Sequence, residues 1–75
     1  MKFDKEIDTS GLSCPLPILK AKKVLNDMAS GQVLKVVATD PASVKDFESF
    51  SRQTGHFLLS SQEDGASFVF HLKKK

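Results

Sequence analysis

The sequence predicts an α/β two-layer sandwich of order βαβαββ, with two helices on one face of a four-stranded mixed sheet. Three observations carry that expectation. Apolar residues recur at three- and four-residue spacing in two separate stretches, a run rich in β-branched residues lies between them, and two strand-like stretches joined through Asp64-Gly65 close the chain. No linker, repeat or low-complexity segment interrupts the pattern, so residues 1–75 are expected to form one domain.

Each element has a local reason. Glu6-Ile7-Asp8-Thr9 alternates polar and apolar and reads as a short first strand, which leaves Ser10-Gly11-Leu12-Ser13 as a loop. Cys14-Pro15 then opens a helix and Gly31 lies beyond its end. Proline at the first helical position and glycine just past the last are the usual asymmetry of helix termini, which places Cys14 at the N-cap and the helix end near Ser30. Pro17 sharpens the start, because its ring would clash with the Ser13 carbonyl if Ser13 were helical. Ile18, Ala21, Leu25 and Met28 form one apolar stripe, while Lys20, Lys22, Lys23, Asn26 and Asp27 fall mostly elsewhere.

Gln32 to Thr39 is almost continuously apolar and β-branched, as a central strand would be. Asp40-Pro41 and Gly55 bracket a second helix with Asp40 as its N-cap. Val44, Phe47, Phe50 and Thr54 lie on its inner side, and Lys45, Glu48 and Arg52 face water. Phe57 to Gln62 and Ser67 to Leu72 make a final hairpin, in which Asp64-Gly65 supplies the positive φ of the turn. Phe68, Phe70 and Leu72 alternate inward. Together with Phe47, Phe50 and Phe57 these aromatic rings are expected to pack as core.

Composition narrows the function. A chain of 75 residues buries about 60% of its unfolded surface and has no room for a deep substrate cavity, so it is expected to work through its surface. No apolar run reaches the roughly 18 residues of a membrane span. Met1 to Asp8 is charged and lacks the apolar stretch of a signal peptide, and the chain has a single cysteine. Both point to a reducing, cytoplasmic setting. The net charge of +2 neither demands nor excludes nucleic acid, and Lys73 to Lys75 reads as a solubilising end.

Chemistry concentrates in Gly11-Leu12-Ser13-Cys14-Pro15-Leu16-Pro17. A lone cysteine is either a packing residue or a nucleophile. An N-cap thiol is a weak acceptor where Ser or Asp would contribute about 1 kcal/mol, so Cys14 stands where stability alone would choose otherwise. On this reading Cys14→Ser would hold or raise stability. Pro15 and Pro17 donate no amide hydrogen, which leaves the Leu16 and Ile18 amides and the helix dipole to favour a sulfur anion. The expectation is a thiol that titrates below about 8.5. Gly11 keeps the approach to the sulfur open.

Several sulfur chemistries are excluded. A dithiol oxidoreductase needs a second cysteine. A cysteine hydrolase needs a nearby base, and His56 and His71 read as surface or turn residues far along the layout. One cysteine and two scattered histidines fall short of zinc-ligand spacing, so no metal or cofactor is expected. Carrying a group on the sulfur remains. Lys20 and Lys23 follow Cys14 within two or three helical turns and could steer an acidic partner.

The segment from Gly11 to Pro17 resembles the Cys-Pro-X-Pro signature of the TusA/SirA family of sulfur-carrier proteins, and the similarity extends over nearly the whole chain. Asp40-Pro41-Ala42, Asp46 and Asp64-Gly65 also fall where that family has them. The resemblance implies that Cys14 accepts a persulfide sulfur from a cysteine desulfurase or rhodanese-type donor and passes it to an acceptor protein. In that family the relay ends in tRNA thiolation, sulfur oxidation, thiosulfate use or molybdenum-cofactor supply. It implies a carrier, not a stand-alone catalyst, expected here as a monomer with no membrane or direct nucleic-acid contact. Gly11, Pro15, Leu16, Pro17 and Ile18 would shape the site, and Lys20, Lys23, Asp40 and Lys45 would meet partners. The tRNA-thiolating members typically have an acidic residue between the prolines and a basic one before the cysteine, where this chain has Leu16 and Ser13. The alternative is a regulatory or RNA-associated interaction module in which Cys14 is incidental.

Overall fold

The computed structural model describes residues 2–75. Its elements follow the expected order: β1 (Lys5–Thr9), α1 (Leu16–Asn26), β2 (Val33–Ala38), α2 (Ser43–Thr54), β3 (Phe57–Asp64) and β4 (Ser67–Lys73). The strands lie side by side as β1-β2-β4-β3, with β1 parallel to β2 and β4 antiparallel to both β2 and β3. Strand alternation sorts the side chains. Leu34, Val36 and Ala38 of β2 are buried and stand opposite Leu72, Phe70 and Phe68 of β4, with Ile7 of β1 beside Val36. Ala21, Leu25 and Met28 of α1 and Phe47 and Phe50 of α2 close over that face. Phe47 and Phe70 meet at the centre, with ring centroids 4.6 Å apart and planes inclined at 32°.

Helix and strand ends differ from the sequence expectation. Helix α1 stops at Asn26, short of Ser30, because the Asp27 and Met28 amides donate to Val24 and Leu25 in tighter three-residue steps. The Leu25 carbonyl is then capped by the Lys74 ammonium at 2.6 Å, and the Lys74 backbone pairs with Gln32 and Gly31. The C-terminal lysines are therefore more than a solubilising end. At the hairpin only Gly65 has positive φ, and Asp64 still pairs with Ser67, so the turn is Gly65-Ala66. Phe57 is 54% exposed and is not core. It opens β3 opposite Lys73, one residue out of phase with Leu58, and so points away from the helices.

Both histidines are buried rather than surface residues. The His71 ring lies on the sheet face away from the helices, 2.9 Å by Nδ1 from Ser60 Oγ, with the Phe3 ring 6.2 Å away. His56 accepts the Lys75 amide at Nδ1 and lies against Phe50. Burial lowers both imidazoles below their ordinary value of 6.5. The Lys74 and Lys75 charges add to this at His56, and Lys35 adds to it at His71.

Two outcomes follow for stability. Phe47→Ala removes the ring at the centre of the core and should cost about 3–5 kcal/mol, most of what a domain this small has. Denaturant titration should show a collapsed midpoint, whereas Phe57→Ala should move it little. As for pH, an imidazole held neutral by the fold binds fewer protons than in the unfolded chain. Its contribution is whole above 6.5 and is lost as pH falls through that value toward the lower folded one. Urea midpoints measured from pH 8 to 5 should fall in that window, and less steeply in His56→Gln.

Candidate functional site

The β1–α1 loop and the β2–α2 loop leave the same end of the parallel β1/β2 pair, which brings residues 11–14 beside residues 39–42. Two hydrogen bonds clip them together. The Gly11 amide donates to Thr39 Oγ1 at 2.8 Å, and the Cys14 amide donates to Asp40 Oδ2 at 2.7 Å. Thr9 adds a buried hydroxyl bond to the Val37 carbonyl at 2.7 Å. Gly11 makes the turn at φ 81, which a side chain rarely adopts. The backbone amide of Cys14 is thus held while its free thiol is exposed.

Asp40 sits at the junction of the two loops. Its Oδ1 accepts the Ala42 amide at 3.0 Å, and its carbonyl accepts both the amide and the hydroxyl of Ser43. Although the Asp40 side chain holds an α2 amide as expected, the helix itself starts at Ser43 with Ala42 as N-cap. The other oxygen reaches across to Cys14. The two carboxylate oxygens of Asp40, expected at a partner surface, accept one exposed amide from each loop.

Cys14 is not the N-cap of α1. The cap is Pro15, which offers no side-chain bond, and the Cys14–Pro15 peptide is cis. The Leu16 amide, expected to face the sulfur, donates instead to the Ser13 carbonyl at 2.9 Å. The expected stability gain in Cys14→Ser therefore loses its basis. Pro17 is buried under the first turn of α1 and Ile18 is half-buried, whereas Leu16 and Leu19 are exposed on that helix. Lys20, Lys23 and Lys45 are exposed, and none forms an ion pair among the described residues.

Between the two helices lies an open pocket of about 210 Å³. Cys14, Pro15 and Ile18 form one wall. Asp46, Ser49, Phe50 and Gln53 of α2 form the other. No lysine and no histidine lines it. Sequence reasoning missed this second wall, although positions 46, 49, 50 and 53 share one helix face and could have been read as a stripe. What the stripe faces is decided by packing.

The electrostatics reverse the expectation for the thiol. The Asp46 carboxylate pushes the Cys14 thiol above its ordinary value, and desolvation and Asp40 act in the same direction. The magnitudes explain why. A helix N-terminus offers about half a positive charge, and Cys14 stands one residue outside it, whereas each carboxylate carries a full negative charge. Both carboxylates therefore work against formation of the thiolate.

Residues 5–74 match the model of a family described as Sulfurtransferase TusA. Over 72 residues the chain is 64% identical to the sulfur carrier protein TusA of Allochromatium vinosum, an alignment covering 96% of this chain and 95% of that protein. It is 42% identical over 74 residues to the putative sulfur carrier protein YrkI of Bacillus subtilis, with 99% of both chains covered. The crystal structure of a SirA-like protein from Desulfitobacterium hafniense superposes with a TM-score of 0.83 over 93% of this chain and 96% of that one. At 22% identity that likeness is one of fold.

The clip between the loops can be cut at one residue. Asp40→Ala removes acceptors for the Cys14 and Ala42 amides, both at an exposed junction, and should cost about 1 kcal/mol. Hydrogen exchange should show the Cys14 amide losing its protection in this variant while the β2 and β4 amides keep theirs.

Proposed function

The chain belongs to the TusA sulfurtransferase family, and from that premise we propose that it carries sulfur as a persulfide on Cys14, loaded by a cysteine desulfurase or rhodanese-type donor and passed to an acceptor protein. One observation carries the assignment to Cys14. The only cysteine of the chain is exposed at the mouth of a pocket, with its backbone clamped and its thiol free. Such a sulfur can be reached by a second protein's active site, which a buried packing cysteine cannot.

The transfer is an exchange at sulfur. Cys14 Sγ attacks the outer sulfur of the donor's persulfide, a new S–S bond forms, and the donor's own S–S bond breaks. The donor leaves as a thiol with the proton that Cys14 gives up. One S–S bond replaces another, so no oxidant or reductant is needed. Unloading repeats the step with Cys14 as leaving group. Gly11, Pro15, Leu16, Pro17 and Ile18 shape the approach, and Leu16 and Leu19, 43% and 53% exposed, offer a partner apolar surface on the start of α1. Lys20, Lys23 and Lys45 supply the surrounding positive charge.

Residues 1–75 act in this reading as a single monomeric domain in the cytoplasm. Among the described residues no helix is long and apolar enough to cross a membrane. The acceptor pathway is open between tRNA thiolation and other sulfur trafficking, since Leu16 and Ser13 stand where tRNA-thiolating members typically have charged residues.

Mass spectrometry after incubation with a cysteine desulfurase and cysteine should show wild type gaining the mass of a sulfur atom and Cys14→Ser gaining none. Because Cys14 is exposed, Cys14→Ser should keep its unfolding free energy, measured by denaturant titration, to within about 0.5 kcal/mol. Equal loading of the two proteins, or none from several donors, would instead favour an interaction module in which Cys14 is incidental.

A further inference from the structure

Asp46 has no assigned task in the fold. It lies in the first turn of α2, half-buried, with its backbone amide donating to the Ala42 carbonyl. Its carboxylate makes no ion pair and no hydrogen bond among the described residues. It shares the pocket with Cys14, and it is the only ionisable group on the α2 wall. Asp40, the other acidic group acting on the sulfur, has both carboxylate oxygens bound to amides. The first turn of α1 contributes Ile18, which is uncharged, and the intervening loop contributes Pro15. An unpaired carboxylate beside a thiol, with no cation lining the same cavity, leaves a charge for a partner to answer.

We propose that Asp46 is the proton-holding residue of the sulfur site: from the α2 wall of the shared pocket its carboxylate keeps the proton on Cys14 in the unloaded carrier, and a sulfur donor activates Cys14 by bringing a cationic side chain to that carboxylate. This deepens the carrier reading and rests on it. With Asp46 alone, the negative charge beside the sulfur opposes formation of a thiolate, which is the attacking species. Pairing Asp46 with a lysine or arginine cancels that opposition where the partner docks. The proton then leaves Cys14 for the departing donor thiolate, the new S–S bond forms, and the donor's S–S bond breaks. A carrier built this way keeps its sulfur quiet in solution and reactive in the complex.

The competing explanation is that Asp46 only complements the positive start of the α2 dipole, worth a few tenths of a kcal/mol and without effect on Cys14. Iodoacetamide, a neutral reagent, separates the two when alkylation of the free protein is followed against pH. Asp46→Asn should lower the midpoint and speed alkylation at pH 7. Asp46→Glu should stay near wild type, and Glu48→Gln on the outer face of α2 should change nothing. An unchanged or raised midpoint in Asp46→Asn overturns the proposal. The cationic half is read with two disulfides, cystamine and the anionic 5,5′-dithiobis(2-nitrobenzoate). The ratio of their rates should favour cystamine more in wild type than in Asp46→Asn, and equal ratios overturn a cationic partner group. A reading without substitution guards against misfolding: in wild type the Asp46 carboxyl carbon resonance should shift on alkylation of Cys14, and an unmoved resonance also overturns the proposal. None of these measurements uses a sulfur donor. Failure of persulfide loading and failure of the Asp46 role are therefore seen separately.

Discussion

The site depends on one carboxylate. Asp40 holds the Cys14 amide with one oxygen and the Ala42 amide with the other, joining two loops that are 26 residues apart in the chain. Parallel pairing of β1 and β2 brings the loops to the same end of the sheet, and the Gly11–Thr39 bond keeps them in step. Each bond is exposed and contributes only about 1 kcal/mol net. Their value is positional. Without them the loop from Ser10 to Pro15 would have no long-range tether beyond its two ends, and the sulfur would not be presented in one place.

That presentation matters because the molecule is too small to enclose chemistry. Its interior is filled by Phe47, Phe70 and the aliphatic residues between two helices and a sheet. At one edge the first turns of α1 and α2 converge on an open pocket. The rigid parts are those that hold the two helix starts. The Lys74 ammonium on the Leu25 carbonyl and the Lys74–Gln32 backbone pair tie the opposite end of α1 to the sheet.

The two acidic residues near Cys14 divide the labour. Asp40 is saturated with amide donors and positions the backbone, whereas Asp46 is unpaired and acts on the sulfur. A helix start alone would have favoured an anion there. The two full charges outweigh that half charge, so the thiol is restrained in the isolated protein. A sulfur relay benefits from such restraint, because a free thiolate would exchange with any disulfide or persulfide it met.

The sequence by itself determined the order βαβαββ, the apolar faces of both helices, the central place of β2 and the isolation of Cys14 between a glycine loop and two prolines. All of these are local signals: a period, a turn residue, a capping asymmetry. Tertiary structure decided what each face meets. It moved Cys14 one residue outside the helix, set Asp46 across from it, buried His56 and His71, turned Phe57 outward and gave Lys74 a helix end to cap. Periodicity records which side of an element is apolar and carries no address for its neighbour. The groups that tune Cys14 lie 26 and 32 positions further along the chain, brought there only when β1 pairs with β2 and α2 packs beside α1.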